Sequence, residues 1–324
     1  MVRFFFVERN KMLVQEKKES LVSKIHEIEP FIGNTPLFPI RGFIENPDVK
    51  IFAKLEWNQL GSSVKARPAF NIIKEAILAG HLDGKKHLLD ASSGNTGVAY
   101  GAIGAALGIP VTLCLPENAS DQKKYSLSYF GVNIVYTSRF EATDGAQEKA
   151  LELFKQYPDK YYYADQYAND NNWQAHYKTT GSEIFAQTGK HITHFVAAMG
   201  TTGTFIGTSR KLKELNPDIE VVALHPDSAL HGLEGWKHLG TAKVPAFYDA
   251  NVADRNIDIS TEEAYRLVKE VARTNGLLLS PSSAGAFAGA LKVAKELDKG
   301  IVVTMFPDHG SNYPEVLKAL IKEN

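Results

Sequence analysis

The chain has 324 residues, 44% apolar and 23% charged, enough to bury a sizeable core in one large or two moderate domains. Lys and Arg number 36 against 37 Asp and Glu, and a net charge of −1 excludes bulk attraction to nucleic acid or an anionic membrane. No stretch reaches the roughly 18 to 20 apolar residues of a membrane span, and the single cysteine, Cys114, excludes a disulfide framework and suits a reducing cytoplasm.

Residues 1–20 read as an N-terminal extension. Their apolar run is too short for a signal peptide, and Met12 offers an alternative start. Ser23 to Ile28 suit a short helix, and Ile32-Gly33-Asn34-Thr35-Pro36-Leu37 read as a loop with an extended residue before proline. Ile51 to Glu56 have strand spacing, and Asn58 to Ser63 supply turn chemistry. From Ala69, apolar Phe70, Ile72, Ile73, Ala76 and Ile77 recur at helical spacing. Lys65 therefore sits on a strand-to-helix turn. Most lysines face solvent. One pointing into a cleft loses basicity and gains nucleophilicity as its amine is desolvated.

After a turn at Gly80 to Lys86, His87 to Ala91 read as a buried strand. It runs into Ser92-Ser93-Gly94-Asn95-Thr96-Gly97 and then a small-residue helix, Val98 to Gly108. Free backbone N–H groups and the positive helix end gather at such a loop, with hydroxyls and an amide beside them. A carboxylate suits it; a capped helix that binds nothing fits the same pattern. Pro110 to Pro116 form a strand holding Cys114, which reads as a buried thiol rather than a catalytic one. Helix Gln122–Phe130, strand Val132–Tyr136 and helix Ala146–Gln156 follow. Strand–helix alternation predicts a parallel sheet with helices on both faces. Tyr161-Tyr162-Tyr163 open a strand-like run, read as packing.

His176 to Thr188 read as one helix and Thr193 to Ala198 as a buried strand. The strand empties into Met199-Gly200-Thr201-Thr202-Gly203-Thr204, with a helix over Ile206–Leu215 behind it. Two glycines permit close backbone approach to an anion. The loop is neither a Walker loop nor the dinucleotide fingerprint. A phosphate held without metal or nucleotide suits it, as does a bare capped turn. Glu220 to His225 read as a strand, and Pro226 to Asn256, including Gly232-Leu233-Glu234-Gly235-Trp236, as irregular surface or lid. Ser260-Thr261-Glu262-Glu263 open a capped helix. Leu277 to Ala286 hold a third small-residue loop with Ser280, Ser282 and Ser283, and Ile301 to Met305 form the last strand.

A turn lysine, two anion loops and a serine loop all fall at strand ends, where ligands bind in such sheets. A lysine imine, a phosphate cup, a carboxylate cup and a ring-nitrogen partner are the fittings that pyridoxal phosphate chemistry needs. The segments Ile32–Leu37, Gly61-Ser62-Ser63-Val64-Lys65, Ser93–Gly97, Asp165-Gln166, Thr179-Thr180-Gly181 with Glu183, and Gly200–Thr204 resemble the cysteine synthases, or O-acetylserine sulfhydrylases, over residues 27–313. Ile192 through Thr204 resemble the B-type isozyme most.

That resemblance implies a fold-type II, tryptophan synthase β-like chain of two three-layer α/β/α domains with mostly parallel sheets. It implies a larger phosphate-binding domain at 21–58 and 170–324, and a smaller mobile carboxylate-binding domain at 59–169. The cofactor is pyridoxal 5'-phosphate, with no metal. Lys65 is the implied Schiff-base lysine and catalytic base, and Asn95 the partner of the cofactor's ring hydroxyl. Gly200, Thr201, Thr202, Gly203 and Thr204 cup the phosphate, and Ser282 faces the pyridine nitrogen, with Ser283 the alternative. Ser92, Ser93, Asn95, Thr96 and Gln166 bind the substrate carboxylate. The implied reaction turns O-acetylserine and sulfide into cysteine and acetate by way of α-aminoacrylate, in a cytoplasmic homodimer with no nucleic-acid or membrane partner. Other β-replacement or elimination enzymes, and a relative that binds the cofactor without catalysis, share the scaffold.

The chain departs from the family pattern at several points. Ala66 replaces the usual aspartate, and Pro281 alters the serine loop. Glu234 stands where some B-type relatives carry arginine, which disfavours O-phosphoserine. The C-terminus is shorter than in many relatives.

Overall fold

The computed structural model describes residues 19–322, and the expected extension at 1–20 lies almost wholly outside them. Of the described residues, 19–32 and 69–171 form one compact unit, and 33–68 and 172–322 form the other.

The larger unit is built on a six-stranded sheet: β1 (Leu37–Ile40), β2 (Val49–Leu55), β7 (His194–Ala198), β8 (Glu220–Pro226), β9 (Arg255–Ile259) and β10 (Gly300–Phe306). The strand order is β1-β2-β10-β7-β8-β9. Only β1 runs antiparallel, pairing Leu37 with Lys54 and Ile40 with Ile51. Alternate residues face opposite sides, as strand geometry requires. Val196, Val222, Leu224, Val302 and Phe306 pack under α9 (Thr261–Asn275) and α10 (Pro281–Lys295). Phe195, Ala197, Val221, Val303 and Met305 pack on the other side under α7 (Thr180–Gln187) and α8 (Gly203–Leu215).

The smaller unit carries a parallel sheet ordered β5-β4-β3-β6, from β3 (His87–Ala91), β4 (Val111–Pro116), β5 (Asn133–Thr137) and β6 (Tyr161–Tyr163). Leu89, Ala91 and Cys114 pack against Ala146 and Ala150 of α5 (Ala142–Gln156). The opposite face takes α3 (Asn95–Leu107), whose small residues allow close approach. A Cβ on Gly104 would lie 2.5 Å from Val111 Cγ2. Burial pushes the Cys114 thiol up to about 12, which leaves it an inert packing group. Helix α1 over 19–28 buries Leu21 and Ile25 in this unit, and Lys24 Nζ donates to Leu107 O at 3.3 Å.

The parallel α/β architecture matches expectation, with three differences. The region read as one helix at His176–Thr188 is two, α6 (Asn171–Lys178) and α7, broken at Thr179. Strands β1 and β9 were not legible. Both are sheet edges of four or five residues: β1 is apolar but carries Pro39 and follows Pro36, which reads as loop, and β9 mixes polar and apolar residues with only Ile259 buried.

Candidate active site

At the C-terminal end of β7 the chain turns through Met199 to Thr202 and enters α8. Thr202 caps the helix in the left-handed region at φ 69°. The first-turn N–H groups of a helix have no intrahelical acceptor and form an anion cradle. The Thr202 hydroxyl is buried in this turn without a hydrogen-bond partner among the described residues. Thr201 Oγ1 accepts from Asn172 Nδ2 at 3.3 Å, and Thr204 Oγ1 pairs with His176 Nε2 at 3.2 Å. Burial, and then the charges of Arg67 and Lys65, hold the His176 ring well below its usual pKa, so it is neutral at pH 7.

Lys65 opens onto the same cavity, which is also lined by Gly200, Thr201, Thr202, Thr204 and Ser282. Its turn is fixed by the backbone: Val64 N–H donates to Pro307 O at 2.8 Å, and Ser63 bridges Asp308. Burial lowers the pKa of the Lys65 amine, against the opposing pull of Asp308 and Glu56. A larger fraction of the amine is therefore free base than in an ordinary lysine.

Two residues on, Arg67 anchors the start of α2 (Ala66–Leu78) in a buried cluster of charges. Its Nε donates to Glu56 Oε2 at 2.7 Å and its Nη1 to Glu183 Oε1 at 2.7 Å. Nη2 reaches Glu56 Oε1 at 2.9 Å, Glu183 Oε2 at 2.8 Å and Thr35 Oγ1 at 3.1 Å. Lys54 Nζ pairs with Glu183 at 2.7 Å and donates to Thr35 O at 2.6 Å. Two cations meet two carboxylates, so the cluster is neutral overall. Burial alone would raise the Glu183 carboxyl, but Arg67 and Lys54 outweigh it and hold it at about 2. This cluster was not legible as a unit, though Lys54 inside the apolar β2 run and Glu56 directly after it were its signal.

The sequence placed the serines in a loop, but Ser280 is the N-cap of α10 and Ser282 lies in its first turn. Pro281 fits there because the first helical position needs no N–H. Ser283 Oγ donates to Asp308 O at 2.9 Å and accepts from Ser280, so it is engaged away from the cavity. Ser282 lines the cavity and accepts a hydrogen bond from Trp236 Nε1 at 2.9 Å.

The segment expected as surface or lid is here packed into the core. Leu233 is fully buried, and Trp236 is 6% exposed. Lys237 N–H donates to Met199 O at 2.7 Å, and a Cβ on Gly200 would sit 2.4 Å from Gly235 O. Sequence reasoning missed Trp236 because nothing local marks an indole that folds back onto a distant helix. Glu234 is exposed and does not line the cavity.

In the smaller unit, the loop after β3 leads into α3, with Gly94 as N-cap and Asn95 and Thr96 already in the helix. Ser92 Oγ accepts from Gly97 N–H at 3.0 Å and Gly94 N–H at 3.3 Å. Thr96 Oγ1 donates to Gln166 Oε1 at 2.7 Å, and Gln166 Nε2 donates to Ala91 O at 2.9 Å. Ser93 and Asn95 are half-buried at the same loop. Ser92, Ser93, Asn95, Thr96 and Gln166 thus form one group here. Lys65, Gly200, Thr201, Thr202, Thr204 and Ser282 form a second in the larger unit, with Gly203 in the same turn.

The amine, the unpartnered threonine hydroxyl in a helix-start cradle and the cavity-facing serine agree with comparison to known proteins. Residues 28–308 match the family described as pyridoxal-phosphate dependent enzyme. The chain belongs to this family. It is 43% identical over 289 residues to a cysteine synthase of Aquifex aeolicus, covering 87% of this chain and 88% of that one. It is 37% identical to cysteine synthase B of Pseudomonas aeruginosa, covering 87% and 93%. A solved cysteine synthase of Entamoeba histolytica superposes with a TM-score of 0.84 at 30% identity, covering 92% and 95%. As a member, the protein is a pyridoxal phosphate enzyme. The larger unit's cavity fits that cofactor on its own chemistry: an amine of lowered basicity would suit the aldehyde, an unsatisfied hydroxyl and helix-start N–H groups would suit the phosphate, and a hydroxyl would suit the ring.

Proposed function

We propose that the protein is a cysteine synthase that converts O-acetyl-L-serine and sulfide into L-cysteine and acetate. The observation that carries this reading is the Lys65 amine, its basicity lowered by burial, in one cavity with the unpartnered Thr202 hydroxyl and Ser282. Bound pyridoxal phosphate supplies an electron sink for the bond broken at the substrate Cα.

The chain's own residues do the rest. Lys65 would carry the cofactor and, with its amine free, would take the Cα proton as general base. Gly200, Thr201, Thr202, Gly203 and Thr204 would hold the phosphate, Asn95 would meet the ring hydroxyl and Ser282 the ring nitrogen. Ser92, Ser93, Asn95, Thr96 and Gln166 hold the substrate carboxylate. In this reading the smaller unit is the mobile one, and its carboxylate contact excludes water from the reacting atoms. The same reading includes a cytoplasmic homodimer; sedimentation at working concentration tests the dimer.

The deciding assay supplies cofactor and sulfide with O-acetylserine, O-phosphoserine or serine, and quantifies cysteine. O-acetylserine should give kcat/KM at least about tenfold above the others, the span of a modest pocket preference. A sulfide rate equal to the enzyme-free blank removes the proposal. Faster turnover with homocysteine than with sulfide reassigns the protein to cystathionine formation.

A further inference from the structure

The hydrogen bond between Trp236 and Ser282 carries more than packing. A serine hydroxyl has one hydrogen to give and two lone pairs to receive. The Trp236 indole N–H can only donate, and it donates to Ser282 Oγ at 2.9 Å. No described protein group accepts the Ser282 hydrogen, and both residues line the cavity while only 6% exposed. The hydroxyl's hydrogen is thus left for whatever the cavity holds.

We propose that Trp236 is a positioning residue that fixes Ser282 as a hydrogen-bond donor, so that the cavity selects the unprotonated form of a heteroaromatic nitrogen. This rests on the reading above, in which Ser282 faces the cofactor's ring nitrogen. An unprotonated nitrogen accepts the Ser282 hydrogen, and every group in the chain Trp236–Ser282–nitrogen is satisfied. A protonated nitrogen would add a second donor to Oγ and leave the serine hydrogen buried without an acceptor, which is the costly outcome. The donated indole N–H also polarises the serine O–H and makes it a stronger donor.

The surroundings hold the indole in this role. Trp236 N–H donates to Leu233 O at 3.1 Å, and the next residue is tied to Met199 O at 2.7 Å, at the entrance to the phosphate loop. On the other side Gly285 leaves space for the ring: a Cβ there would meet Trp236 Cζ2 at 2.9 Å and Cη2 at 3.1 Å. Gly285 of the serine segment thus accommodates Trp236 of the distant tryptophan segment.

The test loads the protein with cofactor labelled with nitrogen-15 in the ring and follows the nitrogen's chemical shift across pH. Wild type should keep the nitrogen unprotonated through neutral pH. Trp236→Phe keeps an aromatic ring but removes the N–H, and should raise the protonation midpoint by about one pH unit, about tenfold in the protonated fraction. Gly285→Ala displaces the indole from a separate position and should shift it the same way, which keeps the test open if one variant misfolds. Ser282→Asp is the control for the underlying reading and should protonate the nitrogen. If Ser282→Asp moves the midpoint but both the Trp236 and Gly285 variants leave it unchanged, the role of Trp236 is refuted. If Ser282→Asp itself leaves the nitrogen unchanged, the placement of Ser282 at the ring fails instead, and with it this proposal.

Discussion

Replacing Arg67 with methionine tests the buried charge cluster under the Lys65 turn. The change removes two hydrogen bonds to Glu56, two to Glu183 and those to Thr179 and Thr35. Two carboxylates then share Lys54 as their only cation within the cluster, with Glu56 fully buried and Glu183 13% exposed. Breaking a buried pair on one side costs about 3 to 5 kcal/mol, because it strands a charge. The pH dependence gives a second measure. Glu183 falls from 4.5 to about 2 in the fold. A depressed carboxylate stabilises above its unfolded pKa, and that stability is lost as pH drops from about 4.5 toward 2, roughly 3 kcal/mol in all. Urea unfolding, followed by circular dichroism at pH 7 and in steps down to pH 4, reads both. The variant should be about 3 to 5 kcal/mol less stable at pH 7, and the gap should narrow as Glu183 protonates in the variant first. A loss under about 1 kcal/mol at pH 7, or a gap that does not change with pH, would refute the claim that Arg67 compensates these carboxylates.

Further changes probe other parts of the structure. Lys65→Ala should abolish borohydride-fixed cofactor on the chain and lower turnover at least about a thousandfold, the scale of losing a covalent and general-base group; a reduced adduct mapped by mass spectrometry to another lysine would contradict it. Gly104→Ala places a Cβ 2.5 Å from Val111 Cγ2 and should cost about 1 to 3 kcal/mol in thermal unfolding; an unchanged melting temperature would show that α3 does not pack so closely. Burial raises Asp90 to about 7, with Ala91 and Gln166 N–H groups opposing it. A raised carboxyl binds its proton more tightly when folded, so stability should fall as pH rises from about 4 through 7 and then level off, by up to about 4 kcal/mol. Asp90→Asn should flatten that slope, and an equal slope in both proteins would reassign the effect.

The buried interior strands were legible because apolar runs bounded by turn residues force them: β3, β4, β7 and β10 each followed this rule. The glycine- and threonine-rich turn at Gly200 and the polar loop at Ser92 were legible as strand-to-helix turns, because helix starts advertise themselves in small polar residues. The edge strands β1 and β9 were not: Pro36 and Pro39 give β1 the look of a loop, and β9, half-exposed at the sheet edge, needs no apolar run. Nor was the break between α6 and α7, which no proline or glycine marks at Thr179.

Local sequence determined which segments become the buried interior strands, which turns expose helix-start N–H groups, and that a lysine stands at one of them. These are properties of neighbouring residues and need no distant partner. Tertiary structure alone decided that Arg67, Glu56, Glu183 and Lys54 neutralise one another, and that Trp236 reaches Ser282 across 46 positions. Hydrogen bonds and buried charges are short-ranged, so their partners are set by where the sheet brings the chain together and not by spacing along it.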